Sequence, residues 1–76
     1  MNAEHAMTDH TYKTIEITGS SGKSIEAAVE SALTRTGETV QNLRWFEVDS
    51  IRGHLEDGRI DHWQVTLKIG FAINSK

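Results

Sequence analysis

The sequence predicts an α+β fold: one strand, one helix and two further strands, with a three-stranded antiparallel sheet in the order 1-3-2 and the helix on one of its faces. Three patterns predict it. Residues Tyr12 to Thr18 alternate, residues from Ile25 to Val40 repeat at spacings of three and four, and two long apolar runs flank Asp57-Gly58.

In the first strand, Ile15 and Ile17 fall on one side and Tyr12, Thr14, Glu16 and Thr18 on the other. The segment Gly19-Ser20-Ser21-Gly22 then reads as a turn. It precedes a helix, but it lacks the lysine and spacing of a phosphate-binding loop. The helix places Ile25, Ala28, Val29, Ala32, Leu33, Thr36 and Val40 on one face, with Ser24 as its cap and Glu26 in the first turn, where an acid suits the helix dipole. Gly37 weakens its last turn.

Leu43 to Leu55 and Ile60 to Ile73 are the two remaining strands. Asp57-Gly58 is a dipeptide that accepts positive φ at both central positions of a two-residue hairpin. If it is the turn, Glu56 faces Arg59, His54 faces Asp61, Arg52 faces Trp63, Ile51 faces Gln64, Val48 faces Leu67, Glu47 faces Lys68, Phe46 faces Ile69 and Trp45 faces Gly70. Phe46 and Val48 then share an apolar face with Trp63, Val65, Leu67, Ile69 and Phe71, which the helix can cover. Trp45, Glu47, Asp49, Ile51, His62, Gln64, Thr66, Lys68 and Gly70 take the opposite face. A strand-helix-strand connection returns parallel to its start, so the last strand must lie in the middle for every pair to be antiparallel.

The whole chain narrows the function. Seventy-six residues make one domain, and a chain of that size buries only about 60 % of its unfolded surface when it folds alone. Small folds compensate with disulfides, a metal or self-association. There is no cysteine, and the four histidines, with His5 and His10 in a polar leader over 1–10 and His54 and His62 in the hairpin, lack the short ligand spacings of structural zinc. Self-association is the remedy left. A net charge of −3 without a basic cluster argues against general nucleic-acid binding. No apolar run reaches the ~18 residues of a membrane span, and the leader lacks a signal-peptide core. These features predict a cytoplasmic protein with a flexible leader, Met7 being an alternative start, and a single domain over 11–76.

Trp45 is the candidate with the most at stake, because a wet indole forfeits on the order of 2–3 kcal/mol of transfer free energy. It has two readings, packing in a subunit interface or a platform on which a ring stacks. Gln64 both donates and accepts, which suits the alternating imide and carbonyl groups of a flavin or purine edge. The two lie on one face but six residues apart, roughly 20 Å, so a shared site needs more than one subunit. Arg52 beside Trp63 reads as a cation–π pair or a rim contact. Glu47 and Lys68 read as a cross-strand ion pair. An enzyme built on His54 and Asp61 would lack a nucleophile beside them.

Several segments together resemble the bacterial-type dodecins: Tyr12-Lys13 and Gly19-Ser20-Ser21, then Leu43-Arg44-Trp45-Phe46-Glu47-Val48, Ile51-Arg52-Gly53-His54, Asp57-Gly58, and Gln64-Val65-Thr66-Leu67-Lys68-Ile69-Gly70-Phe71. The resemblance runs from about Thr11 to Ile73, with the segments in the family's order and spacing. It implies a hollow homododecamer of such subunits, without catalysis, that stores flavin. FMN, or riboflavin or FAD, would stack between symmetry-related copies of Trp45, which quench its photochemistry. Gln64 would bond the isoalloxazine edge, Arg52 would line the site, and Lys13 and Tyr12 would lie near the ribityl or phosphate end. Coenzyme A is a second ligand class that the resemblance allows. The competing reading is a structural or adaptor homo-oligomer without a small ligand, its Trp45 serving as interface packing.

Overall fold

The computed structural model describes residues 11–73. The expected leader over 1–10, with its two histidines and Met7, and the last three positions of the expected domain lie outside the described residues. Strand β1 spans Tyr12–Ser21, helix α1 Ile25–Gly37, β2 Leu43–Glu56 and β3 Arg59–Ala72. The sheet order is β1-β3-β2 and both pairings are antiparallel, as the direction of the connections requires.

β1 runs further than its alternation suggests. Gly19 and Ser20 continue the ladder opposite Val65 and Gln64, and Ser21 ends it opposite Trp63, so the expected turn is mostly strand. Glycine here serves close packing. A Cβ on Gly19 would lie 2.2 Å from the Ala28 carbonyl oxygen and 2.8 Å from Ala32 Cβ, so the helix backbone rests directly on the strand. Thr18 and Thr66 tie the same stretch together by a hydroxyl–hydroxyl bond of 2.9 Å across the strands.

α1 begins where its cap predicts: the Ser24 side chain accepts from the Ala27 backbone N–H at 3.0 Å. Ser24→Ala should lower unfolding free energy by about 1 kcal/mol, measurable as a shift in the urea midpoint at fixed protein concentration. The helix stops before Val40, contrary to the periodicity. Backbone bonds from Glu38 N to Arg35 O and from Thr39 N to Thr36 O tighten the last turn. The chain then turns at Asn42, whose φ is 66°.

Ala28 and Ala32 of the helix pack on Val65, Leu67 and Ile69 of the central strand to form the core, with Ile15, Ile17, Ile25, Val29, Leu33 and Leu43 around it. The small alanines let the helix approach the sheet. The helix, however, sits over β1 and β3 and leaves β2 uncovered beyond Leu43. Phe46, Val48 and Ile51 stay 44%, 46% and 47% exposed. The expectation that the helix covers Phe46 and Val48 therefore fails, and an open groove remains between them and Ile25, Val29 and Leu33.

The hairpin turn is as expected, with φ of 54° at Asp57 and 76° at Gly58. The expected register holds at its tip and over Trp45–Val48, but shifts by one between them. Val48 pairs with Leu67 and Ser50 with Thr66, which leaves Asp49 as an extra residue in β2. His54 pairs with His62 and Leu55 with Ile60, which leaves Asp61 extra in β3. Arg44 is left over in the same way between Leu43 and Trp45. These are β-bulges, and each reverses the side to which the following residues point.

Candidate functional site

The face away from the helix is built from alternate residues of all three strands. β1 contributes Tyr12, Thr14, Glu16, Thr18 and Ser20; β3 contributes Gly70, Lys68, Thr66 and Gln64 opposite the last four of these, and His62 opposite His54 of β2. On β2 the bulge at Asp49 decides the membership. Without it Arg52 would point to the helix side beside Trp63; with it Arg52 pairs with Gln64, and Gly53 takes the place opposite Trp63. The expected placement of Arg52 beside Trp63 is thus replaced by register pairing with Gln64 on the open face, which removes the cation–π reading and keeps the rim position. Ile51, expected on this face opposite Gln64, instead pairs with Val65 and joins the exposed apolar stripe of β2.

Trp45 occupies one end of the face. It pairs with Gly70, and a Cβ added to Gly70 would come within 2.2 Å of Trp45 Cε2 and 2.3 Å of Cζ2. The indole therefore lies down on the bare backbone of the central strand, and only glycine leaves that room. One ring face is pressed to the sheet while the residue stays 37% exposed. Tyr12 meets the indole edge-on, with ring centroids 6.3 Å apart and an interplanar angle of 63°, the geometry that the aromatic quadrupole favours. Lys13 is adjacent in sequence but pairs with Phe71, so within one chain it points to the opposite face.

The other end of the face is polar. Gln64 is flanked in register by Arg52 on β2 and Ser20 on β1. His62 stacks on His54, its centroid 4.8 Å away and nearly parallel at 19°. The expected His54–Asp61 pair is not formed; Asp61 Oδ2 instead accepts a 2.6 Å bond from Nδ1 of His62. The bulge explains this, since in a regular strand neighbours point to opposite faces. Glu47 and Lys68 stand opposite each other as expected, but they make no ion pair among the described residues. Gln64 lies six residues along β3 from the strand position under Trp45, roughly 20 Å.

The chemistry of the face suits a planar, partly polar ring. It offers a preformed aromatic platform with a free outer side, and a separate group that both donates and accepts. Among the described residues no cluster of metal-ligating side chains occurs, and no helix is long and apolar enough to cross a membrane. Sequence reasoning missed the seat at Gly70 and the contact between Asp61 and His62. The first had a signal, a glycine placed opposite a tryptophan in the hairpin register.

A family model for dodecin matches residues 11–74. A dodecin from Thermus thermophilus is 40% identical over 62 residues, which are 82% of this chain and 90% of that protein. Among solved structures, a dodecin from Streptomyces davaonensis superposes with a TM-score of 0.84 at 43% identity, covering 90% of this chain and 100% of its own. A dodecin from Streptomyces coelicolor gives 0.84 at 44% identity, covering 92% and 100%. Sequence and fold agree over nearly all of the described residues, and the chain belongs to the dodecin family, whose members are ligand-binding proteins without enzymatic activity.

Proposed function

We propose that this protein stores and sequesters flavin, with FMN as the principal ligand and riboflavin or FAD as related ones, in a closed homododecamer. The observation that carries the reading is the Trp45 indole, seated on Gly70 with its outer ring face uncovered. A flavin covering that face regains the transfer free energy an exposed indole forfeits, and ring stacking adds about 0.5–1.5 kcal/mol. Tyr12 braces the indole from its edge. Gln64 offers a donor and an acceptor for the imide edge, and Arg52, paired with it in register, lines the same site. Lys13 points away from this face in its own chain, so it supplies a cation for the phosphate end only from a neighbouring copy.

The distance between Trp45 and Gln64 favours assembly, because one chain does not bring both to one ring. The apolar stripe of Phe46, Val48 and Ile51, left open by the helix, supplies surface for copies to bury. A bound flavin contributes an excited state that takes an electron from a stacked indole and returns it quickly, so that absorbed light ends as heat.

Titration of FMN with purified protein while following flavin emission tests the proposal. Saturable loss of fluorescence is expected, together with elution as a large assembly. Full emission at saturating protein would sink the flavin reading, and a large assembly that stays colourless would favour a structural oligomer.

A further inference from the structure

The polar end of the open face holds a chain of contacts that ring stacking leaves unexplained. A carboxylate only accepts, so Nδ1 of His62 carries the proton in its 2.6 Å bond to Asp61. Neutral imidazole then has its lone pair on Nε2. The amide nitrogen of Gln64 stands 3.5 Å from that atom, the side of the amide that can donate to it. We propose that His62, held by Asp61, is a positioning residue for Gln64: it selects which end of the Gln64 amide is turned toward the ligand.

With neutral His62, one Gln64 N–H is directed at Nε2, and the carbonyl oxygen is left to accept from the ligand. With protonated His62, Nε2–H becomes a donor and claims that oxygen, so Gln64 faces the ligand with N–H groups alone. A flavin edge has one imide N–H between two carbonyls and loses its acceptor in that state. Protonation of His62 should therefore weaken binding. The charged or titratable neighbours of His62 are Asp61 on its own strand and, from β2, His54 stacked on it and Arg52 beside Gln64. β1 ends at Ser21 opposite Trp63, and so pairs no titratable side chain with His62.

The inference rests on the flavin reading of Gln64, but the amide orientation belongs to the free protein and can be measured without ligand. Riboflavin is the suitable probe, since it lacks a phosphate that added positive charge would attract. Its affinity for the wild-type assembly should fall about fivefold when acidification protonates His62, the worth of one hydrogen bond. His62→Gln should make the profile flat, whereas His54→Gln should keep it. In the free protein, ¹⁵N spectra should show the Nδ1-protonated tautomer of His62, a mixture in Asp61→Ala, and Gln64 side-chain amide signals that move with His62 titration. Gln64 signals indifferent to that titration, or a pH dependence that survives His62→Gln, would overturn the proposal. Absence of riboflavin binding at every pH would instead reject the flavin reading, and the Gln64 signals would still decide the positioning role.

Discussion

Gly70→Ala is expected to abolish tight flavin binding while leaving Trp45 in the chain. The added methyl would lie 2.2 Å from indole carbon Cε2, well inside contact distance, so the ring must leave its seat on the sheet. Strand pairing has no such conflict, since alanine fits an antiparallel ladder. The stacking platform would be lost as completely as in Trp45→Ala. Removing it should cost on the order of 2–3 kcal/mol, combining lost stacking with lost apolar contact, or about 30- to 150-fold in Kd. Flavin emission should recover in parallel, because the electron donor is displaced. If Gly70→Ala bound and quenched FMN like the wild type, the flat indole would not be the flavin seat.

The largest effect on stability is expected at Gly19. Its position under the helix leaves no room: the Ala28 carbonyl oxygen and Ala32 Cβ both lie closer than a Cβ tolerates. Those obstacles belong to the helix body and not to the end of a flexible side chain. Gly19→Ala should push α1 away from the sheet and loosen the packing of Val65 and Leu67, lowering unfolding free energy by about 3 kcal/mol, at the upper end of overpacking penalties. Guanidinium unfolding followed by circular dichroism, at one protein concentration, measures this. An unchanged midpoint would mean that the helix rests elsewhere. The contrast between the two glycines is useful, since Gly19→Ala attacks the fold and Gly70→Ala the ligand face.

Much of this arrangement was readable from local chemistry. The Asp57-Gly58 turn, the Ser24 cap and the alternation of Ile15 and Ile17 are each fixed by neighbouring residues, and the strand order follows from chain direction. The bulges were harder to foresee. A hairpin register propagated from its turn presumes one residue opposite one, and an extra residue costs little in a strand with a free edge. The apolar spacing carried the clue, because Phe46, Val48 and Ile51 share a face only if a residue is inserted between the last two. A register without that insertion puts Arg52 on the wrong side, and one without the insertion at Asp61 gives the carboxylate partner to His54. Helix coverage failed for another reason: periodicity tells which helix face is apolar but not which strands it spans. Placement depends on where the small residues Gly19, Ala28 and Ala32 allow close approach, a property of three elements together.

The irregularities in β2 bear on how copies of the chain meet. β2 is an edge strand, and an unbroken edge offers its backbone donors and acceptors to any other chain, which is the route to fibrous aggregates. Here the ladder is interrupted at Arg44 and again at Asp49, both charged. That edge is thus a poorer template for an added strand than an unbroken one would be. In the proposed assembly, copies would then meet through side-chain surfaces, whose fixed angles can close on themselves and so end growth by geometry.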